Sequence, residues 1–301
     1  MKDEAEIFSS FKKNVSLAPY TSFRIGGKAE YFFTAFKKED AISAISFVKK
    51  TKKPFFILGF GSNLLVSDKG FKGLVIKIGF KDIRTKGLKI TAEAGAPLGL
   101  LMLKAQESGL SGLEWLSGIP GTLGGAVKGN AGSFKKSMED VVRKVEVLDA
   151  RTGRIRFFSN KECGFGYRKS VFKKNNNLVI LSAELELKKK ERKRIKEEMK
   201  KYFETKQQTQ PLNFPSAGSV FKNPGKKSAG ELIELCGLKG KRIGGAEISE
   251  KHANFIVNKK NAKAKDVLSL INLAKKKVKS KFKINLEEEI VLLGFKNKKK
   301  Y

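Results

Sequence analysis

Fifteen residues, Gly118 to Gly132, carry six glycines and a single charged side chain, Lys128, in a chain that is 31% charged. Glycine gives up more conformational entropy on folding than any other residue, so it concentrates where main chain must take positive φ or press close against something. Here that something reads as an anion, because N–H groups bared of side chains form concave donor arrays that cradle phosphates. A second such stretch, Gly59-Phe-Gly-Ser-Asn63, lies between two apolar runs. Two phosphate-sized cradles in one chain point to a cofactor with a pyrophosphate.

Cradles of this kind need strands and helices to hold them. β-like runs dominate the first two-thirds of the chain, at 29–36, 55–58, 74–78, 90–94, 142–148, 155–158 and 178–187, with turn residues such as Lys86-Gly87 between them. Two stretches instead carry apolar residues near a 3.6 period: 40–52 through Ile42, Ile45 and Val48, and 98–108 through Leu98, Leu101, Met102 and Ala105. Gly109 caps the second, and Gly109 and Gly112 read as turn formers only. Residues 188–206 form a charged helical stretch that reads as a linker. Beyond it, helices at 230–238 and 264–278 and strands at 253–257 and 286–293 complete a smaller α+β unit. The cradles fit neither of two common nucleotide folds. A dinucleotide-binding βαβ unit needs a helix straight after its glycines, but Gly61 leads through Leu64 into more β-like chain, and no P-loop lysine frame occurs.

Length and composition narrow the class. A chain of 301 residues accommodates two or three domains. No apolar run reaches the roughly 20 residues of a bilayer span, and the polar first residues lack a signal-peptide core, so a cytoplasmic protein without membrane insertion is expected. Cys163 and Cys236 have no C-x-x-C partner and His252 is the only histidine, which leaves no transition-metal cluster. Both thiols read as buried small hydrophobes. The 63 basic residues outnumber 30 acidic ones, for a net charge of +33. Such a field attracts nucleic acid or phosphorylated ligands. The excess is spread along the chain and is mostly Lys, whereas base and phosphate recognition favours Arg, so a general lysine bias is the preferred reading over a specific nucleic-acid site.

Six motifs then line up in order: Thr21-Ser-Phe-Arg-Ile-Gly-Gly27, Gly59-Phe-Gly-Ser-Asn-Leu-Leu65, Gly118-Ile-Pro-Gly-Thr-Leu-Gly-Gly-Ala126, Gly166-Tyr-Arg-Lys-Ser170, Pro215-Ser-Ala-Gly-Ser-Val-Phe-Lys-Asn-Pro224 and Leu286-Glu-Glu-Glu-Ile290. In this the chain resembles the MurB family, the UDP-N-acetylenolpyruvoylglucosamine reductases of peptidoglycan precursor synthesis, from about residue 15 to 295. The resemblance implies an α+β architecture. It has an FAD-binding PCMH-type (vanillyl-alcohol-oxidase-like) fold of two subdomains, 1–78 and 79–203, and a C-terminal α+β substrate-binding domain at 204–301.

It further implies noncovalent FAD, with NADPH as co-substrate and a UDP-sugar as substrate, in a monomer. Gly59, Gly61, Ser62, Asn63 and Leu64 would line one pyrophosphate loop; Gly118, Ile119, Gly121, Thr122, Gly124, Gly125, Asn130, Ala131 and Gly132 would line the other. NADPH would reduce the flavin, and hydride would then pass to the β-carbon of the enolpyruvyl ether. Negative charge building on the α-carbon and its carboxylate calls for a cationic clamp and a proton donor. By motif, Arg168 would be the clamp, Ser219 the donor, and Glu289 a third catalytic group, in an apolar setting that favours a protonated carboxyl. On a regular strand Glu287 and Glu289 share one face and Glu288 the other, and the family frame Leu-Glu-x-Glu selects 289. Tyr167, Lys222 and Asn223 would contact substrate.

Two features depart from the family pattern. Lys206 stands where an Arg is usual, four residues before Gln210-Pro211; it keeps the charge and loses the bidentate fork, which weakens a diphosphate contact there. Only about fifty residues separate Arg168 from Ser219, which resembles the type II class lacking a loop over the active site. His252 reads as structural. Two alternatives stay open at this point: another FAD oxidoreductase of the same fold with a different substrate, and a basic nucleic-acid-binding protein.

Overall fold

A computed structural model of the chain describes residues 4–295 and divides them into two compact units, neither contiguous in sequence. The first comprises 4–12, Phe32–Gly59 and Gly73–Lys206; the second comprises Lys13–Tyr31, Phe60–Lys72 and 207–295. Helices and strands alternate through both, an α+β composition.

In the first unit, Phe55–Leu58 pairs in parallel with the strand Phe71–Ile78, in the register Phe55↔Leu74 to Leu58↔Lys77. The helix Lys38–Thr51 buries Ala41, Ala44, Ile45 and Val48; of the apolar positions its period marks, Ile45 and Val48 are buried and Ile42 is half-buried. The larger element is an antiparallel five-stranded sheet in the order Arg154–Ser159, Val142–Asp149, Leu178–Glu186, Lys89–Glu93, Ile83–Lys86. Its middle strand is buried from Leu178 to Ala183 without alternation, as a strand covered on both faces must be. The short helix Leu123–Gly129 packs against that strand, which places the glycine-rich segment on the sheet.

In the second unit, an antiparallel sheet runs Ser216–Ser219, Phe255–Asn258, Ala246–Ile248, Arg242–Ile243. The helix Ala264–Phe282 lays Val267, Leu270, Ile271, Ala274 and Val278 against it, in one core with Ala229, Leu232 and Ile233 of the helix Ala229–Leu235. Phe23, Ile25 and Leu65 join the same core. A separate parallel pair matches Val291–Leu293 to Leu64–Val66.

Several element boundaries differ from the sequence expectation. Lys188–Lys189 is a strand pairing with Leu110–Ser111, and the charged helix follows at Arg192–Thr209, because the ladder claims the first residues. The helix expected at 230–238 ends at Leu235, and that expected at 264–278 extends to Phe282. The strand expected over 286–293 is regular only at Val291–Leu293. Over 287–289 the chain instead makes single contacts: Lys222 N–H donates to Glu287 O at 2.9 Å, Glu288 bridges Phe221, and Glu289 N–H donates to Val220 O at 2.8 Å. The two bonds flank the one bridge Phe221↔Glu288, so paired extended chain here is a single residue pair long. Glu287 is exposed and paired with Lys222, Glu288 is paired with Lys275, and Glu289 is half-buried.

Candidate active site

Within the first unit Gly59, which opens the first glycine stretch, meets the second stretch. A Cβ on Gly59 would lie 2.5 Å from Thr122 Oγ1, closer than real Cβ atoms come, so the first cradle's opening glycine is held against the second cradle's threonine. The second stretch is zipped along 94–98. Leu98 N–H donates to Gly121 O at 3.0 Å, Leu123 N–H to Ala96 O at 2.9 Å and Gly124 N–H to Ala94 O at 2.8 Å. Gly124 is needed for that approach, since its Cβ would meet Ala94 Cβ at 2.9 Å.

This accounting modifies the anion-cradle reading. Ile119, Leu123, Gly124, Ala126, Asn130 and Ala131 all direct their N–H groups to protein carbonyls. Much of the glycine content thus serves close packing of the loop. Gly125 is different. It is exposed in the first turn of Leu123–Gly129, its N–H reaches Thr122 Oγ1 only at 3.5 Å, and an added Cβ would meet nothing nearer than 3.6 Å. Glycine inside a helix costs about 1 kcal/mol relative to alanine, so a glycine the protein's own packing does not require fits a surface reserved for something else. An uncharged group of donors with open space above it suits a diphosphate such as that of FAD.

Arg168 also belongs to the first unit, and three hydrogen bonds tie its loop to the glycine stretch. Its own Nη2 donates to Gly132 O at 2.9 Å, Asn130 Nδ2 donates to Gly166 O at 2.9 Å, and Ser170 Oγ donates to Lys128 O at 2.6 Å. Asn130 is buried in the left-handed region at φ 43, and its Oδ1 accepts from Glu139 N–H at 3.0 Å, so its side chain works inside the protein. Arg168 itself sits at φ 54, an uncommon conformation for a long side chain. Tyr167, largely exposed, lies beneath its guanidinium at 5.4 Å. Ser170, fully buried, carries no role in the sequence reading although it closes the quoted motif; a serine following an Arg turn is too common a pattern to single out.

Lys206 is buried, and its Nζ donates to Ser117 O at 2.7 Å and Trp115 O at 3.2 Å. Burial lowers its pKa to about 8. Lys128 is likewise lowered to about 8, by burial first and then by the charge of Lys173, and its Nζ donates to Asn176 Oδ1. Cys163 is buried, with a thiol pushed up to about 12 by burial and by Glu162.

The second unit gathers a different group. Asn63 Nδ2 donates to Glu289 O at 3.2 Å, and Val291 N–H donates to Asn63 O at 2.9 Å. Glu289 in turn bonds Val220, the neighbour of Ser219. Ser219 ends the strand Ser216–Ser219 opposite Phe255. Asn254 fixes the chain beyond it, accepting from Phe221 N–H at 2.9 Å and donating to Phe221 O at 2.8 Å. Asn63, Glu289 and Val220 beside Ser219 are thus joined by hydrogen bonds to main-chain carbonyls, while Gly61 rests on the turn at Ser22, whose N–H reaches Gly61 O at 3.3 Å. Leu64 is buried in the parallel pair. Lys222 is committed to Glu287, and Asn223 accepts from Ala229 N–H at 3.1 Å. His252 Nδ1 accepts from Asn254 N–H at 3.2 Å, its pKa lowered chiefly by burial, which suits a structural imidazole. Among the described residues no group of His, Cys, Asp or Glu is arranged to hold a metal ion, and no helix is long and apolar enough to cross a membrane.

Comparison with known proteins bears on both units. Residues 29–159 match the model of an FAD binding domain, and residues 210–293 match that of the UDP-N-acetylenolpyruvoylglucosamine reductase C-terminal domain. The chain is 44% identical to the UDP-N-acetylenolpyruvoylglucosamine reductase of Caldanaerobacter subterraneus subsp. tengcongensis, covering 94% of this chain and 93% of that one. It is 41% identical to the enzyme of the same name from Clostridioides difficile, over 97% and 94%. The crystal structure of UDP-N-acetylenolpyruvylglucosamine reductase (MurB) from Thermus caldophilus superimposes with a TM-score of 0.81 at 39% identity, covering 94% of this chain and 99% of that one.

Proposed function

The chain belongs to the UDP-N-acetylenolpyruvoylglucosamine reductase (MurB) family, and on that premise we propose that it reduces the enolpyruvyl ether of UDP-N-acetylglucosamine to UDP-N-acetylmuramate with NADPH and noncovalent FAD. The observation that carries the reading is the triple tie between the Arg168 loop and the glycine stretch. A cofactor cradle and a cationic clamp built as one piece suit a reaction in which charge develops next to the cofactor. The unusual backbone of Arg168 supports it as well, since such conformations persist where function needs them.

When bound, the flavin supplies the hydride, received from NADPH, that the substrate β-carbon takes up. The rest falls to side chains. Arg168 offsets the charge that builds on the substrate carboxylate and α-carbon, a term usually worth more than any other in such reactions. Ser219 gives its hydroxyl proton to the α-carbon; a serine is a weak acid, but a carbanionic centre is base enough to take the proton. Glu289, held by Asn63 and Val220 through its main chain, stands as the third group to hold or relay a proton. Gly61, Ser62 and Asn63 with Gly118 to Gly132 receive the diphosphate of FAD. Tyr167, Lys222 and Asn223 are substrate contacts by motif, the last two in a C-terminal domain at 204–301 that binds the UDP-sugar. The same reading takes the protein as a cytoplasmic monomer without a specific nucleic-acid site.

Purified protein tests the proposal directly. It should carry flavin absorbance in the visible range and turn over NADPH only when the UDP-linked enolpyruvyl sugar is present. Colourless protein that takes up no added FAD would overturn the reading.

A further inference from the structure

We infer that Lys206 is a positioning residue for the glycine stretch, holding it in shape for flavin, rather than a contact for the substrate diphosphate. The inference rests on the reading that Gly118 to Gly132 receives FAD. Its basis is where the ammonium is spent. Nζ is buried and donates to the carbonyls of Trp115 and Ser117, the residues immediately before the stretch. Those carbonyls belong to the turn Glu114–Leu116 and its cap, and the turn is buried throughout.

The same helix, Arg192–Thr209, also grips the other end. The ring of Phe134, two residues past Gly132, lies 5.5 Å from Lys206 Nζ and 4.4 Å from the Tyr202 ring. Between these two supports the helix presses on Gly118. A Cβ there would meet Lys206 Cδ at 3.2 Å and Phe203 Cδ2 at 3.4 Å, and Gly118 takes φ 72. Tyr202, Phe203 and Lys206 thus form a bracket across both ends of the stretch. Side chains one turn apart on a helix share a face, which is why a single helix can do this.

The chemistry favours this role over a phosphate contact. Two carbonyl acceptors, one at 2.7 Å, occupy the head group. Removing it leaves buried carbonyls unpaired, and the loop must then be ordered when FAD arrives, which lowers affinity.

The test is FAD titration of apoprotein by visible absorbance, run beside steady-state kinetics. K206M should raise the FAD Kd by about tenfold or more, and K206R, which keeps donors at the head group, should recover most of it, with the KM for the UDP-sugar moving little in FAD-saturated enzyme. An unchanged FAD Kd with a raised KM would assign the ammonium to substrate and overturn the inference. If K206M does not fold, K206Q, whose shorter neutral side chain cannot hold both carbonyls, goes through the same titration, and a wild-type Kd there overturns it equally. Failure of wild-type apoprotein to bind FAD would overturn the flavin reading itself, an outcome separable from both.

Discussion

Gly59 and Thr122, 63 residues apart, are packed so closely that a Cβ on the glycine would stand 2.5 Å from the threonine hydroxyl. Thr122 is also the N-cap of Leu123–Gly129. Gly59→Ala should therefore force position 59 and Thr122 apart, destabilising the protein by about 1–3 kcal/mol as overpacking does and weakening FAD uptake. Thr122→Ala alone should cost about 1 kcal/mol, through the lost cap. Because T122A removes the clashing oxygen, the double variant should lose less than the sum of the two. Urea denaturation of the four proteins measures this, and strict additivity would mean the contact is not what constrains position 59.

Asn130 tests the tie between cradle and clamp. Its left-handed backbone suits glycine, so Asn130→Gly keeps the conformation and removes only the side-chain bonds to Gly166 and Glu139. Each such bond contributes about 1 kcal/mol. The loop that presents Arg168 should loosen, and the KM for the enolpyruvyl sugar should rise more than the FAD Kd does. A larger loss of flavin affinity than of substrate affinity would place the main work of Asn130 at the cofactor.

Ser219→Ala separates the half-reactions. NADPH should still reduce the bound flavin at close to the wild-type rate, while reoxidation by substrate slows by about 10²–10⁴-fold, the usual contribution of a positioned acid. Rapid-mixing absorbance resolves the two steps. Equal slowing of both would remove Ser219 from proton donation.

Much of this architecture was legible in the sequence. Period and turn residues located the helix Lys38–Thr51 and four strands of the five-stranded sheet, but not its edge strand Ile83–Lys86, which is mostly exposed and shows no apolar run. Glycine content located the close approach of 118–132 to 94–98. What the pattern could not report is which distant segments meet: Lys13–Tyr31 and Phe60–Lys72 cluster with 207–295 through Phe23, Ile25 and Leu65, and periodicity carries no record of partners. The run at Leu286 to Ile290 reads as a strand from its composition, yet its main chain is divided among Val220, Lys222 and Phe221. Lys206 was visible as a charge, but its burial depends on the turn at Glu114–Leu116, ninety residues away. Ser170 owes its role to one bond with Lys128, which no local spacing announces.

The buried lysines set a pH dependence with a definite sign. In the unfolded chain Lys206 keeps its proton up to the ordinary value of 10.5; in the folded protein burial brings the loss to about 8. Between those values the unfolded state binds the extra proton, so the free energy of unfolding rises with pH. Charged Lys206 is thus a cost below pH 8 that is relieved as pH climbs through the window. Lys128, lowered to about 8 by burial and by Lys173, adds the same sign. Urea denaturation from about pH 7.5 to about pH 10 should show wild type gaining on K206M, and separately on K128M. A neutral amine still has two N–H donors for the carbonyls of Trp115 and Ser117, so FAD affinity should hold from about pH 7 to about pH 9 while stability changes. If the stability gap between wild type and K206M stays flat across that range, the ammonium is solvated and the bracket is not closed.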